Sequence, residues 1–174
     1  GMRRCGKSSL LSLFEDHLIS SGVKKDHIIR MNFESMANDH IQEYHALYDA
    51  ITQQMPLKKT RYYLLLDEIQ LVESWEKAVN SLLVDANVDI YLTGSNAFLL
   101  SSELSTLLSG RYVEIKMLPL SFKEYLDFID ETKSASPEDL FPNYLLYGGL
   151  PNIPLLLDNP ETISAFLTGI YNTV

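Results

Sequence analysis

Gly1-Met2-Arg3-Arg4-Cys5-Gly6-Lys7-Ser8-Ser9 opens the chain and fits G-x-x-x-x-G-K-[ST], the pattern of a phosphate-binding loop. Glycines let such a backbone curl around a polyphosphate, so that successive N–H groups point at its oxygens. Lys7 is then the charge that reaches the β- and γ-phosphates, and the Ser8 hydroxyl is a ligand for Mg²⁺. Gly1, Cys5, Gly6 and Ser9 complete the candidate nucleotide contacts of the loop. The segment from Lys7 to Ser20 reads as a helix, with Leu10, Leu11, Phe14, Leu18 and Ile19 on one stripe and Gly22 as its stop. Its N-terminal end, partly positive, would face the same anion. A loop of this kind is expected to leave the end of a buried strand, so the sheet is expected here without its first strand.

Working outward, the second anchor is Tyr62-Tyr63-Leu64-Leu65-Leu66-Asp67-Glu68. An apolar run without alternation is the pattern of a strand buried on both faces, as in a parallel α/β sheet. It ends in two carboxylates. A strand end beside the loop lets Asp67 hold Mg²⁺ together with Ser8, and lets Glu68 polarise a water for attack on the γ-phosphate. Between the two anchors, His27–Phe33 suits a strand and His40–Gln53 a helix. Beyond them, Glu73–Val84 reads as helix and Val88–Thr93 as strand, closed by Gly94-Ser95-Asn96. Ala97–Leu108 reads as helix, and the alternating Arg111–Met117 as a strand with an exposed face or edge.

Repeated β-α order predicts a doubly wound parallel sheet. In such sheets ligands gather at the C-terminal ends of the strands. Among Thr93, Ser95 and Asn96, Asn96 is the first candidate for touching both the attacking water and the γ-phosphate, and Ser95 the second. Capping of the next helix is the competing role. Arg111, after Ser109-Gly110, is a candidate arginine finger acting on a neighbouring subunit's site, hence the expectation of a homo-oligomer; a surface arginine at a turn is the alternative. Gln70 is read as a loop-capping residue with a second option of orienting water. After Pro119 the pattern becomes helical: Ser121–Ile129 with Ser121 as cap, a polar linker from Asp130 to Pro137, then helices over Pro137–Tyr147 and Pro160–Asn172 around Gly148-Gly149-Leu150-Pro151.

Composition narrows the class. With 174 residues, 46% hydrophobic and 21% charged, the chain can bury a proper core. Its net charge of −9 argues against a general nucleic-acid binder, which needs a basic face. Cys5 is the sole cysteine, which excludes an internal disulfide and a cysteine zinc site and fits a reducing, cytoplasmic setting. No stretch approaches the ~18 apolar residues of a membrane helix.

Taken together, GMRRCGKSS, YYLLLDEIQ, YLTGSNAFLLSSELSTLLSGRYVEI, LPLSFKEY and YGGLP resemble, in this order, the AAA-type ATPases of a widespread prokaryotic family. In that family an ATPase core is joined to a C-terminal domain of unknown function that resembles restriction-type nucleases. The resemblance implies a three-layer AAA+-like P-loop NTPase core over residues 1–118, with strand order 5-1-4-3-2, and a helical lid subdomain over 119–174. It implies ATP and Mg²⁺ as cofactors, Lys7 and Ser8 at Walker A, and Asp67 and Glu68 at Walker B. Asn96 or Ser95 falls at sensor 1, and Arg111 at the arginine-finger position. Gly149-Leu150-Pro151 is similar to the GxP turn of signal-transduction ATPases, whose proline approaches the adenine. Against the family's pattern the chain is expected to be short at both ends. Three readings follow from this: an ATP-hydrolysing core, a nucleotide-gated switch, and a non-enzymatic fragment with a vestigial site.

Overall fold

The computed structural model describes residues 4–57, 60–94, 108, 110–129 and 136–172. Gly1, Ser95, Asn96 and the helix expected from Ala97 onward lie outside the described residues, save Leu108. The chain divides into two compact units: residues 7–115, and residues 1–6 together with 116–174.

The first unit is built on three parallel strands, β1 (Ile28–Asn32), β2 (Tyr62–Asp67) and β3 (Val88–Leu92), in the order β1-β2-β3. Parallel neighbours need long crossovers. Helices α2 (Tyr44–Gln53) and α3 (Trp75–Asp85) supply them, while α1 (Lys7–Ser20) precedes β1. The pairing register explains the layers. Ile29, Leu64 and Ile90 form one row across the sheet, and Met31, Leu66 and Leu92 another on the same face. That face buries Leu47, Ile51, Ile69, Val79 and Leu82 in one apolar cluster with α2 and α3. The intervening row of Arg30, Leu65 and Tyr91 points to the opposite face, where α1 lies beside β2. There Phe14 of α1 meets the Tyr91 ring at 4.5 Å. The expected three-layer α/β arrangement is therefore present, with Leu64, Leu65 and Leu66 wholly buried at its centre.

Arg30 fastens α1 to the sheet. Its guanidinium donates to Glu15 Oε2 at 2.9 Å and to Ser12 Oγ at 2.7 Å. The Ser12 hydroxyl in turn donates to the Ser8 carbonyl at 3.1 Å. The first turns of α1 are thus tied through side chains to β1.

Two elements differ from expectation. Helix α2 begins at Tyr44 rather than His40, because Glu43 caps it, its carboxylate accepting from the backbone N–H groups of His45 and Ala46. The preceding Gln42 carbonyl accepts from the Glu73 N–H at 2.8 Å, so residues just before α2 pair with the start of α3 instead of with the helix. The strand expected over Arg111–Met117 does not form, and residues 111–116 are exposed. Alternation only prepares a strand; a ladder needs a neighbouring backbone, and among the described residues β1, β2 and β3 pair only with one another. On the described residues β3 is an edge, half-exposed along its whole length, whereas β2 is almost entirely buried.

In the second unit α4 (Phe122–Asp127), α5 (Pro137–Tyr147) and α6 (Pro160–Tyr171) surround the buried Tyr125, Ile153 and Ile163. Ser121 and Glu124 form a capping box on α4, and Ser136 and Asp139 another on α5. The Ser121 side chain and backbone N–H both donate to Glu124, holding its carboxyl below the usual range. Gly149 is needed for close approach: a Cβ there would stand 2.1 Å from the Leu120 carbonyl oxygen. Its own carbonyl accepts from the Leu120 N–H at 2.6 Å.

Candidate functional site

The register that builds the sheet also gathers polar side chains at its C-terminal edge. Asn32, the last residue of β1, pairs with Asp67, the last residue of β2. Thr93 follows β3 directly, its N–H bonded to the Leu66 carbonyl at 2.9 Å. Asp67 is fully buried. One of its oxygens accepts from Asn32 Nδ2 at 3.3 Å, and the other from the Thr93 hydroxyl. A buried carboxylate needs such donors to remain in place. Each oxygen keeps further lone-pair capacity, since a carboxylate offers about four acceptor sites.

Glu68 stands just past the strand in a left-handed conformation, φ 54° and ψ 45°. For a residue with a Cβ this conformation costs on the order of 1–2 kcal/mol, so the surroundings must impose it. Three contacts do so. The Glu68 N–H donates to Thr93 Oγ1 at 3.2 Å. The Glu68 carbonyl accepts from Leu71 N–H at 3.1 Å, closing the short 3₁₀ turn Ile69–Leu71. The Ile69 N–H is anchored on the Thr93 carbonyl at 3.1 Å. The result is a reversal that keeps the Glu68 side chain at the strand end, 8% exposed, instead of sending it along a straight continuation of β2. Residues held in rare backbone conformations are frequent at functional sites; Ser74 shares such a φ of 54°.

Thr93 therefore serves two partners through one hydroxyl: it donates to Asp67 and accepts from Glu68. Changing it to valine keeps shape and β-branching but leaves a buried carboxylate oxygen and a backbone N–H without that partner. Thr93→Val is expected to destabilise the chain by about 1–3 kcal/mol, seen as a lower urea midpoint at unchanged slope. An unchanged midpoint would show that Thr93 does not hold the pair.

Of the other sequence candidates, Lys7 opens α1 half-exposed, with Ser8 and Ser9 exposed in its first turn. Arg111 is exposed, its N–H bonded to the Leu108 carbonyl. Cys5 and Gly6 belong to the second unit. There the Cys5 side chain is buried with Tyr125, Leu150, Ile153 and Ile163, and Gly6 has φ +89°, a backbone state suited to glycine. Of the side chains that hold Asp67, Asn32 is not among the sequence candidates, and Thr93 is grouped there with Ser95 and Asn96 as a strand-end polar residue for the water and γ-phosphate, not as a partner of Asp67. The available signal was positional, a polar residue closing each of two apolar strands.

Among the described residues no cluster of three or more His, Cys, Asp or Glu side chains could cage a metal. Mg²⁺ does not require one. It binds through one or two carboxylates, waters and the substrate's phosphates, and a buried aspartate with lone pairs to spare is an oxygen donor of that kind. No helix among the described residues is long and apolar enough to cross a membrane.

Residues 1–126 match the family described as the AAA domain. The chain belongs to that AAA domain family. Such domains are nucleotide-binding and ATPase-like, and the loop, the layered sheet and the carboxylate-ended central strand of this chain are read in that light. The AAA domain here is also similar to longer proteins. An uncharacterized protein of Haemophilus influenzae is 45% identical over 177 residues, covering all of this chain and 43% of the relative. An uncharacterized protein of Methanocaldococcus jannaschii is 32% identical over 185 residues, covering 98% of this chain and 40% of the relative. The chain thus spans about two fifths of the length of these relatives.

Proposed function

We propose that this chain binds ATP and hydrolyses it in the presence of Mg²⁺ at the C-terminal ends of its strands. The observation that carries the reading is the Asp67–Glu68 pair: adjacent buried carboxylates at the end of the central strand, the first held by Asn32 and Thr93, the second set at a left-handed turn. The division of labour follows from their settings. Asp67, pinned through both oxygens, suits a fixed ligand role with the Ser8 hydroxyl. Glu68, just outside the strand, suits the base that takes a proton from water as the water attacks the γ-phosphorus. Lys7 supplies positive charge to the phosphate oxygens, and Mg²⁺ when bound neutralises charge on the β- and γ-phosphates. Helix α1, with Lys7 and Ser8 in its first turn, precedes β1 and is tied to it through Arg30, which supports a reading in which its N-terminal end faces the strand ends. Asn96, with Ser95 as the second choice, contacts the water and the γ-phosphate, and Arg111 serves the site of a neighbouring copy.

The relatives are longer than this chain, and in that further length the resemblance implies a C-terminal nuclease-like domain; ATP turnover in the core is coupled to a partner or substrate of the longer protein.

Thermal unfolding with and without Mg-ATP tests binding. A site occupied at ~100 Kd stabilises by about 2.7 kcal/mol, so the melting temperature is expected to rise with Mg-ATP and to fall back when EDTA is added. No shift at millimolar Mg-ATP would rule out the site. Phosphate release under the same conditions tests hydrolysis, and its absence alongside a clear thermal shift would leave a nucleotide-gated switch as the function.

A further inference from the structure

The turn after β2 contains a side chain to which the proposed chemistry has given no task. Gln70, two residues past Glu68, is folded back over it by the Ile69–Leu71 turn. Its Nε2 donates to Glu68 Oε2 at 2.5 Å, a charge-assisted contact between side chains. Its Oε1 is buried and has no hydrogen-bond partner among the described residues. A glutamine that merely capped the loop would turn its carbonyl to a backbone N–H or to water. Burying an amide oxygen unpaired is unfavourable, and the arrangement is tolerated here because the N–H side of the same amide is committed to the carboxylate. The reverse orientation would set a carbonyl oxygen against a carboxylate oxygen, two acceptors with no proton between them.

We infer that Gln70 is a positioning residue for Glu68: it fixes the plane of the carboxylate whose backbone the left-handed turn and Thr93 already fix. The inference rests on the ATPase reading of the site. A glutamate has three side-chain torsions, and a base that must meet one water at one moment loses rate when those torsions are free. Misplacement of a reacting group by about 1 Å costs up to ~100-fold in rate. Gln70 restricts that freedom through its Nε2 donor.

Steady-state ATP turnover separates this role from a structural one. Gln70→Leu keeps the bulk and removes the donor together with the unpaired acceptor; kcat is expected to fall by about 10- to 100-fold, with KM for ATP and the melting temperature unchanged. Gln70→Glu keeps the length but sets a like charge against Glu68, and is expected to lose turnover at neutral pH as well. In a Glu68→Gln background, Gln70→Leu is expected to produce no further loss, because residues acting as a unit are not additive. Wild-type kcat in either single variant, or a loss that adds in full to that of Glu68→Gln, would overturn the inference. Wild-type turnover measured alongside distinguishes this from failure of the ATPase reading itself, which would show as no turnover in the unmodified chain.

Discussion

Replacing Glu68 with glutamine is expected to lower ATP turnover by about 10²–10⁴-fold, the range for loss of a general base, while leaving Mg-ATP binding intact. The substitution is unusually clean at this position. Glutamine has the same length and branching, so it fits the same left-handed turn, where Glu68 has φ 54°. Its amide oxygen can still accept from Gln70 Nε2, as the carboxylate does. The Thr93 hydroxyl still receives the backbone N–H of residue 68. Asp67, which carries the proposed metal role, keeps both of its donors. What is lost is the negative charge and, with it, the capacity to accept a proton. Isothermal titration with Mg-ATP and a phosphate-release assay on the same preparation make the test. Normal turnover would reassign the base; loss of binding would show that Glu68 takes part in holding the nucleotide.

Leu66→Ala is expected to destabilise the first unit by about 2–5 kcal/mol, the range for emptying a fully buried leucine site. Leu66 lies at the centre of the Met31–Leu66–Leu92 row and is completely buried. It packs into the cluster of Leu47, Ile51, Ile69, Val79 and Leu82, where backbone on one side and helices on the other limit collapse into the vacated space. A domain of this size has only about 5–15 kcal/mol in total, so the urea midpoint should fall by a large fraction. Leu71→Ala is the matching control: the Leu71 side chain is 53% exposed at the end of the site turn, and a surface change of this kind stays within about 0.5 kcal/mol. Equal losses from the two substitutions would contradict the burial that defines the core. Leu66 also precedes Asp67 and accepts the Thr93 N–H, so the destabilised variant should lose part of its Mg-ATP affinity as well.

The layered sheet was legible because its signals are local. The run Tyr62–Leu66 announces a strand covered on both faces, and β2 is that strand. Strand His27–Phe33 and strand Val88–Thr93 were each recovered to within a residue at either end. The Ser121 cap was readable from Ser-x-x-Glu alone, because the capping box spans only four residues. Where the reading failed, the deciding partner was distant. Arg111–Met117 has the alternation of a strand, but a strand is a property of a pair, and none of the three strands offers it a ladder. The start of α2 moved because Gln42 bonds to Glu73, thirty-one positions later in the chain.

The sequence by itself determined that this is a parallel α/β domain with a phosphate-loop pattern, and that two carboxylates close its central strand. Those features are written in runs of six to nine neighbouring residues, whose periodicity and side-chain chemistry need no fold to be read. Tertiary structure alone decided how the carboxylates are held. Strand register brought Asn32 and Thr93, thirty-five and twenty-six positions away, onto the oxygens of Asp67. The same hydroxyl of Thr93 helped turn Glu68 into a left-handed conformation, and that turn laid Gln70 against its carboxylate. The physical reason is that a buried carboxylate is stabilised only by donors that reach it in space. Which donors do so depends on how three strands align, and no single stretch of the chain encodes that alignment.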